Sequence, residues 1–134
     1  MLLPHGAVVA VVDGEKFELF RNDGNEAEPT LSVVAEPELE PHNRAAGARR
    51  DSSVANPTGH QLDEDSRAAA VTDWLNQQVL SRRIERLVVI ASPRTLGEMR
   101  RRYHKELTAA LVGELAMDLT GRGPQPVLDA LRGK

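Results

Sequence analysis

Two stretches of this chain are apolar without interruption, and the rest of the pattern is organised around them. Gly6 to Val12 (GAVVAVV) is rich in β-branched residues and lacks any polar break, as expected for a strand covered on both faces in the middle of a sheet. Glu85 to Ala91 (ERLVVIA) repeats that character, so the two strands compete for the same central position and are expected side by side. Between them the rhythm changes. Asp13-Gly14 supplies a turn, Lys16 to Arg21 (KFELFR) alternates with Phe17 and Leu19 on one face, and Thr30 to Ala35 (TLSVVA) follows the polar turn Asn22-Asp23-Gly24-Asn25. Three strands in such quick succession predict an antiparallel meander.

From Glu36 to about Asp65 the periodicity dissolves into Pro37, Pro41, Gly47, Asp51-Ser52-Ser53, Asn56-Pro57 and Gly59. This composition buries too little apolar surface to order itself alone and predicts a long flexible loop, either functional or simply mobile. Ser66 to about Leu80 then reads as a helix. Ala68, Val71, Leu75 and Val79 form its buried stripe, with Trp74 beside it and Asp63, Asp65 or Ser66 as N-cap. After the second apolar strand, Ser92 is placed to cap another helix and Pro93 suits its first position, where a missing N–H does no harm. Leu96, Met99, Tyr103 and Leu107 continue one stripe along it at steps of three or four, with room for a break near Tyr103-His104. Val112 to Leu119 alternates, with Leu115, Met117 and Leu119 facing one way, and predicts a last, edge strand. Gly121 to Gly123 turns the chain into a short helix over Pro124 to Leu131.

The order is therefore a meander followed by helix, strand, helix, strand. Right-handed crossovers place the fourth strand beside the first and the fifth beyond it. The expected fold is a single α/β domain over residues 1–134, with a ribonuclease-H-like five-stranded mixed sheet in the order 3-2-1-4-5 and helices on both faces.

Bulk composition narrows the functional classes without choosing among them. Hydrophobic residues make up 40% and charged residues 28% of 134, an ordinary globular balance large enough for one core. A formal charge of −3 argues against non-specific wrapping of nucleic acid, so any basic surface has to be local. No cysteine is present, which excludes thiolate catalysis, thiolate zinc sites and disulfide scaffolds together. No stretch approaches the roughly 18 apolar residues of a membrane span, and Met1 to His5 lacks the positive leader of a signal peptide, so a cytoplasmic location is expected.

Three places invite chemistry. At Ser92-Pro93-Arg94 a helix begins at the carboxyl end of a central strand, offering free N–H groups, a positive dipole end and a guanidinium fork for phosphate or carboxylate. The simpler account, which we prefer, has Ser92 capping, Pro93 starting the helix and Arg94 paired with Glu98 one turn on. The densest positive cluster is Arg100-Arg101-Arg102 with His104 and Lys105, and Arg82, Arg83 and Arg86 add to the basic inventory. A ribosome, an RNA or an acidic protein could dock on such a cluster; the simpler account, which we prefer, is a solvated helix face. With aromatic residues at 3%, stacking on single-stranded bases has little to work with. Asp13 and Asp118 are the carboxylates that a paired-metal nuclease would recruit, but such sites need several converging carboxylates, and Asp13 stands where a turn itself favours Asp. His5, His42, His60 and His104 show no metal-ligand spacing, so neither a metal, a cofactor nor a catalytic residue is assigned.

Several of these segments together resemble a known family. The opening strand with Asp13-Gly14, "AAAVTDWLN" (68–76), "RLVVIASPRTLGEMR" (86–100) and "VGELAMDLT" (112–120) are similar to bacterial proteins described as required for attachment to host cells, the host attachment proteins. The Pro-Arg-x-Leu-Gly-Glu string after a strand is the most specific part. That family is in turn similar to the middle domain of archaeal and eukaryotic peptide chain release factors, and the resemblance implies the same sheet order. In those factors a Gly-Gly-Gln tripeptide just ahead of the first major helix promotes peptidyl-tRNA hydrolysis. Here Gly59-His60-Gln61 occupies the corresponding region, with a histidine side chain where the second glycine has none. Asp63, Glu64 and Asp65 follow it and would repel RNA phosphates. The resemblance thus implies a non-catalytic binding or adaptor role, ribosome- or RNA-associated, with peptidyl-tRNA hydrolysis or ribosome rescue through Gly59-His60-Gln61 as the enzymatic alternative. Oligomeric state stays open.

Overall fold

In a computed structural model, residues 1–39 and 59–133 are described, with side chains from residue 65 onward in the second stretch. Five strands form one sheet: β1 (Val8–Val12), β2 (Phe17–Asn22), β3 (Leu31–Val34), β4 (Leu87–Ala91) and β5 (Leu111–Ala116). Their spatial order is β3-β2-β1-β4-β5, as the run of patterns predicts. β1 pairs antiparallel with β2, from Val8 opposite Arg21 to Val12 opposite Phe17. It pairs parallel with β4 in strict register from Val8 and Leu87 to Val12 and Ala91. Every residue of both central strands is buried, so their unbroken apolar character follows from having a layer on each side.

Four helices supply those layers: α1 (Gly59–Leu80), α2 (Pro93–Arg100), α3 (Lys105–Ala110) and α4 (Pro124–Arg132). One face of the sheet carries Val8, Ala10, Val12, Val89 and Ala91 against Val71 and Leu75 of α1, Leu96 and Met99 of α2, and Leu107 of α3. Trp74 closes that core edge-on against Phe17, with ring centroids 5.8 Å apart. The opposite face carries Val9, Val11, Val88 and Ile90 against Val127, Leu128 and Leu131 of α4. At roughly 1.5–3 kcal/mol for each fully buried aliphatic side chain, these two layers are the main source of stability.

Two expectations need correction, and a third holds. α1 begins at Gly59, so the last seven residues of the expected loop are helical, and Asp63, Asp65 and Ser66 lie inside the helix rather than capping it. No proline or glycine interrupts residues 60–80, and a first turn with Leu62 as its one apolar residue sets no apolar rhythm by which to read it. The remainder of the loop, residues 40–58, lies outside the described residues. β5 stops at Ala116 because Asp118 leaves the ladder to accept the Thr120 N–H at 3.2 Å. As a result Met117 is exposed while Leu115 and Leu119 are buried. The expected break between α2 and α3 is present, with His104 as N-cap of α3, its Nδ1 accepting from the Glu106 N–H at 3.0 Å.

Candidate functional site

Ser92 stands at the N-cap position of α2 with extended backbone, at the carboxyl end of β4, and Pro93 takes the first helical position. Its hydroxyl does not cap the helix; it donates to Thr95 Oγ1 at 3.2 Å. Arg94 does not reach Glu98. It donates instead to both carboxylate oxygens of Asp65 on α1, at 3.2 and 3.3 Å, while Glu98 lies 3.9 Å from Arg101. The guanidinium that would line an anion pocket is therefore already answered by a carboxylate from another helix.

The cluster at the far end of α2 follows the same logic. Arg100 donates through Nε and one terminal nitrogen to Glu114 Oε1 on β5, at 3.1 and 2.7 Å. Arg102 donates to both oxygens of Asp73 on α1, at 3.1 and 3.0 Å. Tyr103 donates its hydroxyl to the other oxygen of Glu114 at 2.7 Å, so one carboxylate ties β5 to the α2–α3 junction. Burial pushes the Glu114 carboxyl up, but the hydrogen bonds from Arg100 and Tyr103 outweigh it and hold the group below its ordinary value. For Tyr103 burial and the Glu114 carboxylate act together, and its phenol is pushed far up. Lys105 has no ion-pair partner among the described residues. α1 carries the other half of the fit: Asn76 donates to the Arg102 carbonyl at 2.9 Å and accepts the His104 N–H at 3.0 Å. Ser92 and Arg94 sit at one end of an eight-residue helix and Arg100 to Arg102 at the other, about 12 Å apart.

Asp13 and Asp118 do come together. Thr120 Oγ1 lies 2.7 Å from Asp13 Oδ2 and 2.8 Å from Asp118 Oδ1, and Asp13 Oδ1 accepts the Glu15 N–H at 2.6 Å within its turn. Burial raises the Asp13 carboxyl; the Thr120 hydroxyl and the Glu15 and Lys16 N–H groups more than offset it and leave the group lowered. The arrangement pins the β5–α4 connection to the β1–β2 turn. Among the described residues no group of three or more His, Asp or Glu could hold a metal ion. The backbone of Gly59-His60-Gln61 forms the start of α1, and its side chains lie outside the described residues.

Sequence reading missed one feature. Where β1 and β4 begin, the end of α1, the approach to β4 and α3 enclose an open groove of about 840 Å³, lined by Leu80, Arg82, Ile84, Arg86 and Glu106 among others. Arg82 stands in it with a φ of +65°, the only positive φ outside glycine among the described residues. A glycine at this position would have announced the helix end, and an arginine gives no such signal.

A family model for bacterial archaeo-eukaryotic release factor family 12 matches residues 6–131, from the start of the first strand into the last helix. The chain belongs to this family. No curated protein matches it. Family 12 membership agrees with the release-factor-like sheet order, and the match includes both the Gly59-His60-Gln61 segment and the Arg100 to Lys105 cluster. No helix among the described residues of this family 12 chain is long and apolar enough to cross a membrane.

Proposed function

We propose that this family 12 chain is a non-catalytic binding protein of release-factor type that docks on the ribosome. The observation that carries the reading is the family match over residues 6–131, which takes in all five strands and three of the helices in full. His60 supports the non-catalytic part, since it puts a side chain and tighter backbone limits where the hydrolytic tripeptide of release factors has a second glycine. On this reading the protein works in the cytoplasm, and the host attachment named by the sequence resemblance is a downstream phenotype of a translation-linked protein. Cosedimentation with ribosomes at low and high salt is the test. Salt-sensitive pelleting with ribosomes is expected, and a protein that stays in the supernatant at both concentrations refutes the docking.

A second reading, peptidyl-tRNA hydrolysis, is favoured by one observation: Gly59-His60-Gln61 opens α1, the longest helix, where the resemblance places the hydrolytic tripeptide. Release of peptide from a loaded ribosome that disappears in Gln61→Ala would establish it. Release unaffected by that substitution would remove it.

A further inference from the structure

We propose that the exposed turn Arg82-Arg83, together with Arg86, is the surface through which this protein binds the phosphate backbone of RNA. The proposal rests on the ribosome-docking reading and names the face that docks. Its basis is the distribution of ion pairs. In the positive cluster most visible in the sequence, Arg100, Arg101 and Arg102 are paired with Glu114, Glu98 and Asp73, and Arg94 is paired with Asp65. Arg94, Arg100 and Arg102 would have to leave a hydrogen-bonded carboxylate of the same chain to reach a phosphate, which leaves Arg101 and Lys105 as the available charges of that cluster. Arg82, Arg83 and Arg86 are all exposed, and none has a carboxylate partner among the described residues. Phosphate contact displaces only water and counterions at Arg82 and Arg83, and at Arg86 one further hydrogen bond, to the Glu85 carbonyl at 3.1 Å, the condition under which a guanidinium contributes most to salt-sensitive RNA binding.

The turn that carries them is held firmly. The Arg82 N–H donates to the Val79 carbonyl at 3.0 Å and the Arg83 N–H to the Gln78 carbonyl at 2.9 Å, a Schellman-type closure of α1. Ile84, which is buried, anchors the next residue in the core. Arg82 occupies the left-handed position that glycine fills without strain, so its charge is presented at a conformational cost. Arg82 and Arg86 line the adjoining groove together with Glu85 and Glu106, so the charge excess of this face is carried by Arg83, outside the groove. That distribution fits a backbone crossing the turn and contacted without regard to base sequence.

The affinity of the full chain for purified ribosomal RNA and for whole ribosomes, measured against salt concentration, tests the proposal with Arg82→Gly, Arg83→Ser and Arg86→Ser. Arg122→Ser serves as control, an exposed arginine beside the Gly121 turn, which is tied to the β1–β2 turn at the carboxyl end of β1, away from the start of β4. Each of the three variants is expected to weaken RNA binding several-fold and to lower the slope of log affinity against log salt by about one, with the control unchanged. Arg82→Gly is decisive, because it removes charge while relieving left-handed strain: weaker binding at an undiminished melting temperature cannot come from loss of fold. Wild-type binding unchanged in all three variants overturns the assignment of the surface and leaves ribosome docking standing. Binding to ribosomes that is indifferent to salt and abolished by Leu80→Ser, the exposed apolar neighbour of the turn, also overturns it and identifies a protein partner. Absence of binding to either RNA or ribosomes refutes both this proposal and the docking on which it rests.

Discussion

Asn22 shows how much structure one side chain can organise. It is fully buried; its amide donates to the Leu3 carbonyl at 2.8 Å and the Pro4 carbonyl at 3.2 Å, and its Oδ1 accepts the N–H groups of Gly24 and Thr30, both at 2.9 Å. Asn22→Ala leaves those four groups short of a partner, and urea denaturation is expected to show a loss of ~2–4 kcal/mol. Glu114 is a second such residue, and its effect depends on pH. Its folded carboxyl is held below the ordinary 4.5, so its contribution is complete above that value and is lost as the pH falls through the folded value. Glu114→Gln does not titrate; the stability gap between wild type and variant is expected to narrow as denaturation is repeated from about pH 6 down to about pH 3. Neither role is legible in the sequence, where Asn22 is one polar residue in a turn and Glu114 one charge in a strand. Their partners lie up to nineteen residues away for Asn22 and fourteen for Glu114, and only the folded chain brings them into range.

At the scale of elements, the strands were readable because burial on a pleated sheet writes a local pattern. The buried stripes of α1 and α2 were readable for the same reason at helical spacing. Charges write no such pattern. Arg100 to Arg102 read as a surface cluster, yet their carboxylates come from α1, α2 and β5, so part of what looks like a partner-binding face is the mortar between helices. Asn76 belongs to the same joint, holding both the last carbonyl before the α2–α3 break and the first N–H after it. Asn76→Ala is expected to cost ~1–2 kcal/mol in urea and to speed amide hydrogen exchange at His104. The unexpected start of α1 has the opposite origin: Gly59 to Asp65 (GHQLDED) offers a single apolar residue, too few to set a helical rhythm in the sequence.

For the whole molecule, the central pair β1 and β4 ties the two halves of the sequence into one cooperative unit. Val9, Val11, Val88 and Ile90 are fully buried and lie in strands paired directly with each other. Their amides are expected to exchange at one common, slowest rate set by global unfolding, while those of the edge strand β3 exchange faster. A spread of several orders of magnitude between β1 and β4 would contradict that cooperativity. The family 12 match spans both strands and the helices between and after them, so any surface the chain presents is displayed on a scaffold that stands or falls as one body.

The parallel seam also sets a timetable. Val8 meets Leu87, so a nascent chain has to carry its first hydrophobic ribbon through the synthesis of roughly eighty further residues before the matching ribbon emerges. During that interval the early hairpins present a bare valine flank with nothing to zip against, which is the kind of surface that aggregates or recruits a chaperone.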